Sequence, residues 1–176
     1  MENTPKQPKT KRTGDQLAAM GTNVEARHFT TAFEKRAEGD GRTIYGYAAV
    51  YNQETDMGWY TEVIEPGAFD EAITTSDCRA LFNHEADHLL ARQSSGTLQL
   101  SIDNMGLAYE FDSPTTSMGN DILVMIERGD LKESSFAFTI EEQVWEETQT
   151  DEGWEYKRVI KKVKELFDVA PVTYPS

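Results

Sequence analysis

Chemistry at a protein side chain needs a nucleophile and a group to take its proton, so hydroxyls, thiol and imidazoles come first. Ser135 heads the run Ser135-Phe136-Ala137-Phe138-Thr139-Ile140, in the longer stretch Gly129 to Ile140. A serine hydroxyl is inert at neutral pH unless a positioned base removes its proton and a third group orients that base. The chain has three histidines. His28 lies among threonines on a predicted first strand, and no neighbouring acid or hydroxyl singles it out, so it reads as structural. His84 and His88 fall in Leu81-Phe82-Asn83-His84-Glu85-Ala86-Asp87-His88-Leu89-Leu90-Ala91-Arg92. Two assignments of His84 stay open at this level. It is the general base for Ser135 with His88 beside it, or it is a hydrogen-bonded histidine at a strand end and Ser135 merely opens a strand.

Two other chemistries compete. His84-Glu85-Ala86-Asp87-His88 matches H-E-x-x-H, where imidazoles one helical turn apart hold zinc and the glutamate is the base. Asn83 and Asp87 interrupt the apolar face such a helix would bury, a strand pattern closely precedes it, and no third histidine completes the set, although Glu110 could serve. Cys78, six positions before His84, is the only cysteine. It rules out an internal disulfide and suits a reducing compartment. As a lone thiol it reads as a small buried hydrophobe rather than a nucleophile.

The elements that must position these groups are mostly strands. Arg27, Phe29, Thr31 and Phe33 share one face of a period-two pattern, and Arg42 to Tyr51 is rich in aromatic and branched residues. With Glu38-Gly39-Asp40-Gly41 between them, the two segments predict a β-hairpin. Trp59 to Ile64 predicts a strand, closed by Pro66-Gly67 before a short helix from Phe69 to Thr74. Arg79 to His84 returns to an extended pattern. Gly96 to Ile102 and Leu107 to Phe111 form a second hairpin about Asn104-Met105-Gly106. Asn120 to Arg128 is the clearest helix, with Ile122, Met125 and Ile126 on one face and Gly129 as a left-handed stop.

After Ser135, Phe136, Phe138 and Ile140 take one face of a strand while Ser135, Ala137 and Thr139 take the other. Turn-prone acidic residues follow from Glu146 to Gly153. Tyr156 to Val163 and Leu166 to Val169 then return, with Pro171 at the end. A turn centred at Asp151 and Glu152 would, in unbroken antiparallel register, set Ser135 opposite Asp168, and opposed side chains lie about 5 Å apart. Turn placement from sequence carries an error of about 2 to 4 residues. The pairing therefore predicts a carboxylate at Ser135's end of the neighbouring strand, where it could orient a base.

At 176 residues and 38% hydrophobic, the chain suits one domain with a real core. Its net charge of -14 argues against nucleic acid as a partner. The charge is uneven: Lys6, Lys9, Lys11 and Arg12 stand against Glu2 between Met1 and Gly14. With two prolines and few apolar residues, that stretch predicts a disordered basic arm, drawn over residues 1–23, ahead of a domain over 24–176. No apolar run is long enough to span a bilayer and no signal-peptide pattern is present, so a membrane partner is not expected and the protein should stay in the cytoplasm that made it.

Six segments occur in an informative order: ARHFTTAFEKRAEGDGRTIYGYAAVYN, IEPGAF, LFNHEADHLLAR, SGTLQLSIDNMGLAYEF, RGDLKESSFAF and LFDVAPVTYP. Together they resemble the prohead maturation proteases of tailed bacteriophages, relatives of the herpesvirus assembly proteases, over nearly everything after the arm. By that resemblance the histidine of the N-H-[DE] element falls on His84 and the serine of S-F-x-F on Ser135. Asp168 takes the acidic position that resembles the third catalytic residue, a histidine in the viral relatives. The fold implied is mainly β with a few helices, a closed antiparallel β-barrel of the herpesvirus-assemblin type.

The activity implied is a serine endopeptidase without metal or cofactor. It would cleave the scaffolding protein, or the scaffolding segment of the major capsid protein, and itself, inside an immature procapsid in the host cytoplasm. Arginines that help form the oxyanion hole in the herpesvirus relatives have no counterpart between Val169 and Ser176, which leaves backbone N–H groups to receive the charge; Arg92 is a further electropositive neighbour. The end at Ser176 leaves no room for a fused carboxyl-terminal scaffolding domain, so the expectation is either that the scaffold is a separate protein or that this chain is a processed or shortened form. Homodimer formation and encapsidation are two restraints that would hold such an enzyme until assembly, and the sequence does not choose between them. The competing classes are the zinc peptidase and a catalytically silent assembly or scaffold-binding protein.

Overall fold

The computed structural model describes residues 11–12, 17, 23–29, 33–35 and 41–174. The disorder expected of the arm over 1–23 lies outside the described residues, apart from Lys11, Arg12, Leu17 and Asn23. The strands in chain order are β1 (Glu25–Phe29), β2 (Glu34–Lys35), β3 (Thr43–Val50), β4 (Thr55–Asp56), β5 (Thr61–Ile64), β6 (Arg79–Leu81), β7 (Leu89–Arg92), β8 (Leu98–Ile102), β9 (Gly106–Asp112), β10 (Glu133–Thr150) and β11 (Gly153–Val172). Helix α1 spans Ala72–Thr75 and helix α2 Ser117–Arg128.

Local signals account for several of these elements. Thr116 accepts a hydrogen bond from the Gly119 N–H at the start of α2, and Gly129 ends the helix at φ 78°, donating its N–H to Ile126. That left-handed cap is open to glycine at no steric cost. Gly106 starts β9 because a Cβ there would lie 2.0 Å from the Ala49 carbonyl oxygen, so only a bare backbone fits. The β8–β9 hairpin, the β10–β11 turn, α2 and the strand ending at Ile64 lie where the residue pattern puts them.

The first predicted hairpin divides. The two-residue β2 does pair with β3, but β1 leaves for the other sheet and pairs antiparallel with β10. The smaller sheet has the order β2-β3-β9-β8. The larger has, among the described residues, seven strands: β1-β10-β11-β5-β4 in order, with β6 also on β11 and β7 on β6. β3 of the small sheet packs on β1 and β10. Between the layers lie Phe136, Phe138, Val163, Leu166 and Val169 from one side and Ile44, Leu107, Tyr109 and Phe111 from the other, with Ile122 of α2 closing the core. Each such large apolar side chain contributes about 1.5 to 3 kcal/mol by leaving water.

The expected closed antiparallel barrel is not formed. Both sheets are open, and the larger is mixed. β11 uses one edge for β10, while its other edge serves two short parallel strands in succession, β5 at Lys157–Ile160 and β6 at Asp168–Val169. Between them the edge is satisfied by loop groups: the Val163 N–H donates to the Ala68 carbonyl and the Leu166 N–H to Ser76 Oγ. Closure requires a backbone ladder all the way round. Here β1 is joined to β5 and β11 by side chains. Arg27 donates from Nε to Glu62 Oε1 at 2.5 Å and from Nη2 to Glu62 Oε2 at 2.8 Å, while Arg158 donates to both Glu25 oxygens at 2.8 Å. A cleft of about 300 Å³ lined by Arg27, His28, Gln53, Asp56, Met57 and Glu62 lies along that seam. Strand periodicity is the same in an open and a closed sheet, so nothing in the pattern distinguished them.

Candidate active site

The candidate nucleophile lies on the best-supported strand of the large sheet. Ser135 of β10 pairs with His28 of β1 on one side and Ala170 of β11 on the other. With both edges of its backbone in ladders, its position is fixed to within the play of two sheets of hydrogen bonds. Its side chain points away from Phe136 and Phe138, onto the face opposite the core, yet the residue is fully buried.

Asp168 reaches the same face by a shifted register. The hairpin tip pairs Thr150 with Gly153 and Gln143 with Ile160, as the sequence arithmetic requires. Irregularities between Ala137 and Gln143 then displace the pairing by two residues, so Ser135 faces Ala170 and Asp168 faces Ala137. The expected direct opposition is therefore replaced by a diagonal relation at the same end of the two strands. The shift matters chemically. Diagonal neighbours are about 7 to 8 Å apart instead of about 5 Å, which leaves room for an imidazole between them.

That imidazole is His84, in the connection between β6 and β7. Its Nε2 lies 2.6 Å from Ser135 Oγ and its Nδ1 2.6 Å from Asp168 Oδ1. An ionised carboxylate only accepts, so Asp168 takes the Nδ1–H; Nε2 then presents its lone pair to the serine hydroxyl. The Asp168 side chain is 10% exposed and that of His84 24%, so the imidazole faces outward and the carboxylate does not.

The connection is bent sharply to deliver the ring. Asn83 and His84 are consecutive left-handed residues at φ 54° and 59°. Such positions cost about 1 to 3 kcal/mol each and persist only when neighbours hold them. Asn83 supplies the hold. Its N–H donates to the Pro171 carbonyl at 3.0 Å, and its Oδ1 accepts from the Thr173 N–H at 2.8 Å. The turn is thereby fastened to the end of β11, the strand that carries Asp168. Within the turn, the His88 N–H donates to Glu85 O and the Phe82 N–H to His88 O.

The other sequence candidates are not brought to this point. His84 and His88 lie on a turn, not a helix, and the His88 side of it is exposed, so the H-E-x-x-H spacing does not give two imidazoles on one helical face. Among the described residues no three of His, Cys, Asp and Glu group as metal ligands, with Glu110 included. Cys78 is fully buried in the core. Burial, then the negative charge of Asp168, pushes its thiol well above the usual range, which keeps it protonated. Arg92 is committed to Asp77, with Nε 2.8 Å from Oδ2.

His28 is the residue that the sequence undervalued. Its ring centroid lies 6.1 Å from that of His84, edge to face, and its backbone pairs with Ser135. Burial lowers its pKa, and the neighbouring His84 and Arg27 lower it further, so the neutral ring is favoured beside the base. No local signal could have found it. The partner strand lies more than a hundred positions away, and strand pairing over that distance leaves no mark in either segment.

The model of the caudovirus prohead serine protease family matches residues 31–176. The chain belongs to that family. It is therefore a serine protease, and the family's place of action is the phage prohead. The matched segment includes His84, Ser135 and Asp168 and begins after β1, so His28 stands outside it. Among solved structures, the bacteriophage T4 capsid assembly protease, gp21, is similar at a TM-score of 0.53 and 10% identity, over 86% of this chain and 98% of that one. That likeness concerns the fold. No curated protein matches the chain. No helix among the described residues is long and apolar enough to cross a membrane.

Proposed function

We propose that Ser135, His84 and Asp168 are the catalytic triad of this prohead protease, carried by a domain over residues 24–176. The observation that carries the proposal is the unbroken chain of contacts from hydroxyl through imidazole to carboxylate, 2.6 Å at each step. His84 Nε2 takes the Ser135 proton as Oγ attacks the peptide carbonyl carbon. The imidazolium so formed is held by Asp168, then gives its proton to the leaving amine. Water, deprotonated by the same nitrogen, attacks the acyl-enzyme; the acid product leaves and Oγ regains its proton. Backbone N–H groups receive the developing oxyanion.

The substrates are the scaffolding protein or the scaffolding segment of the major capsid protein, and the protease chain itself, cut within the immature procapsid in the host cytoplasm. Full burial of Ser135 in the single chain supports a restrained resting state; a requirement for encapsidation or for homodimer formation supplies the restraint until assembly. Co-expression with the capsid precursor tests the reading. Ser135→Ala should abolish precursor processing while a chelator leaves wild-type processing intact; continued cleavage by the alanine variant at the same sites would overturn it.

A further inference from the structure

The other end of the β10–β11 hairpin holds a second concentration of side chains that the hydrolytic chemistry does not use. All three tryptophans of the chain are here: Trp145 and Trp154 on the hairpin and Trp59 just before β5. The Trp59 and Trp145 rings stack at 5.6 Å, with Tyr60 edge-on to Trp145 at 5.1 Å and Tyr156 edge-on to Trp59 at 5.7 Å. This cluster is separate from the main core. It is also acidic: between Glu141 and Glu155 the chain has seven acidic residues and no basic one.

Residues from the basic arm lie on it. The Arg12 guanidinium sits 3.7 Å above the Trp59 ring and the Lys11 ammonium 4.5 Å from that of Trp154. The Arg12 N–H donates to Tyr156 Oη at 2.5 Å, and Lys11 lies 3.8 Å from Glu147. Leu17, only 4% exposed, packs with Tyr60 and Tyr156. Cation–π contacts, an ion pair, a backbone hydrogen bond and an apolar anchor thus come from one short segment, the leucine five positions after the arginine. A chain of net charge -14 thus sets Lys11 and Arg12 on an acidic hairpin tip.

We propose that the hairpin tip is a binding site for a short basic peptide, a Lys-Arg pair followed by a leucine, and that its resident occupant is this chain's own amino-terminal arm, docked in cis. Tethering makes modest contacts sufficient, because a covalently attached segment is present at roughly millimolar effective concentration. Untethered, the same sequence, or a basic segment of another protein, competes for the same rings.

The three tryptophans make docking directly readable. In the full chain, Lys11→Glu with Arg12→Glu should release the arm, giving red-shifted tryptophan emission and stronger acrylamide quenching than wild type. Neither residue belongs to the proposed triad, so unchanged processing of the capsid precursor by this variant establishes that it is folded. Titrating the variant with a synthetic peptide of residues 5–20 should restore the wild-type emission saturably, less so at high salt; the same peptide with both charges reversed should not. Identical emission and quenching in wild type and variant would overturn the site. So would a peptide without effect at millimolar concentration. Wild-type emission that changes on dilution would mean that arms are exchanged between copies, and would overturn docking in cis.

Discussion

The two ends of the β10–β11 hairpin are built from the same pair of strands and differ in almost every physical respect. At the Ser135 end, β10 is flanked by β1 and β11, the pairing is shifted by irregularities, and residues from Ser134 to Phe138 are buried on both faces. At the tip the register runs unbroken from Gln143 to Thr150, β10 has no strand but β11, and most side chains between Glu141 and Gln149 are exposed. The regular end presents a surface; the irregular end brings Ser135, His84 and Asp168 together. Perfect register would have placed Ser135 and Asp168 too close for a ring between them, so the departure from regularity is what makes room for His84. The seam cluster of Arg27, Glu25, Glu62 and Arg158 lies between the two ends and ties β1 to β5 and β11.

The comparison is broken most severely by removing the base. His84→Ala should lower processing by on the order of 10⁴-fold or more. Asp168→Asn keeps the shape but favours the wrong tautomer, with an expected loss of about 10³ to 10⁴ in kcat, measured on a peptide spanning a mapped cleavage site. If turnover stays within a few-fold, Asp168 leaves the triad. By contrast, Trp154→Ala at the tip should leave that rate unchanged.

Stability discriminates the middle of the hairpin from both ends. Arg158 is fully buried among Glu25, Glu62 and Gln143, so Arg158→Ala should destabilise the fold by about 3 to 5 kcal/mol in urea denaturation, by stranding buried carboxylates. Acid provides a finer probe. Burial raises the Glu25 pKa, but its bonds and charge interactions with Arg158 and Arg27 outweigh that and lower it overall. A carboxylate depressed in the folded state contributes stability that is fully present above its unfolded pKa, about 4.3, and is lost as pH falls through the folded value. Glu25→Gln should therefore be less stable at neutral pH and show a shallower loss of stability below about pH 4.3, read from melting temperatures across that window. Asn83→Ala should have the smallest effect, about 1 to 2 kcal/mol of stability through the lost clamp on Thr173 and the strained turn, with a drop in kcat that Asn83→Gly reduces in part.

Much of this was legible in local pattern. Alternation at Phe136 and Phe138 gave the strand and the face of Ser135, Gly129 gave the end of α2, and Asp151-Glu152 gave the turn. Those signals arise from backbone conformation and burial within a few residues, which side-chain type reports directly. The pairing of β1 with β10 instead of β3 was not legible, because the backbone groups that choose a partner are the same in every residue. The parallel runs of β5 and β6 along one edge of β11 were hidden for the same reason, and with them the open sheet that replaced the expected barrel.

By itself, then, the sequence determined a mainly β chain with a serine at the mouth of a strand, a histidine at the end of an extended segment and a carboxylate near the end of the returning strand. The tertiary structure decided that they meet. It did so through a two-residue shift in register, a left-handed Asn83-His84 turn fastened to β11, and the arrival of β1 with His28. The physical reason is one of range: strand identity is set by side chains close in sequence, whereas partner and register are set by hydrogen bonds and packing between segments far apart.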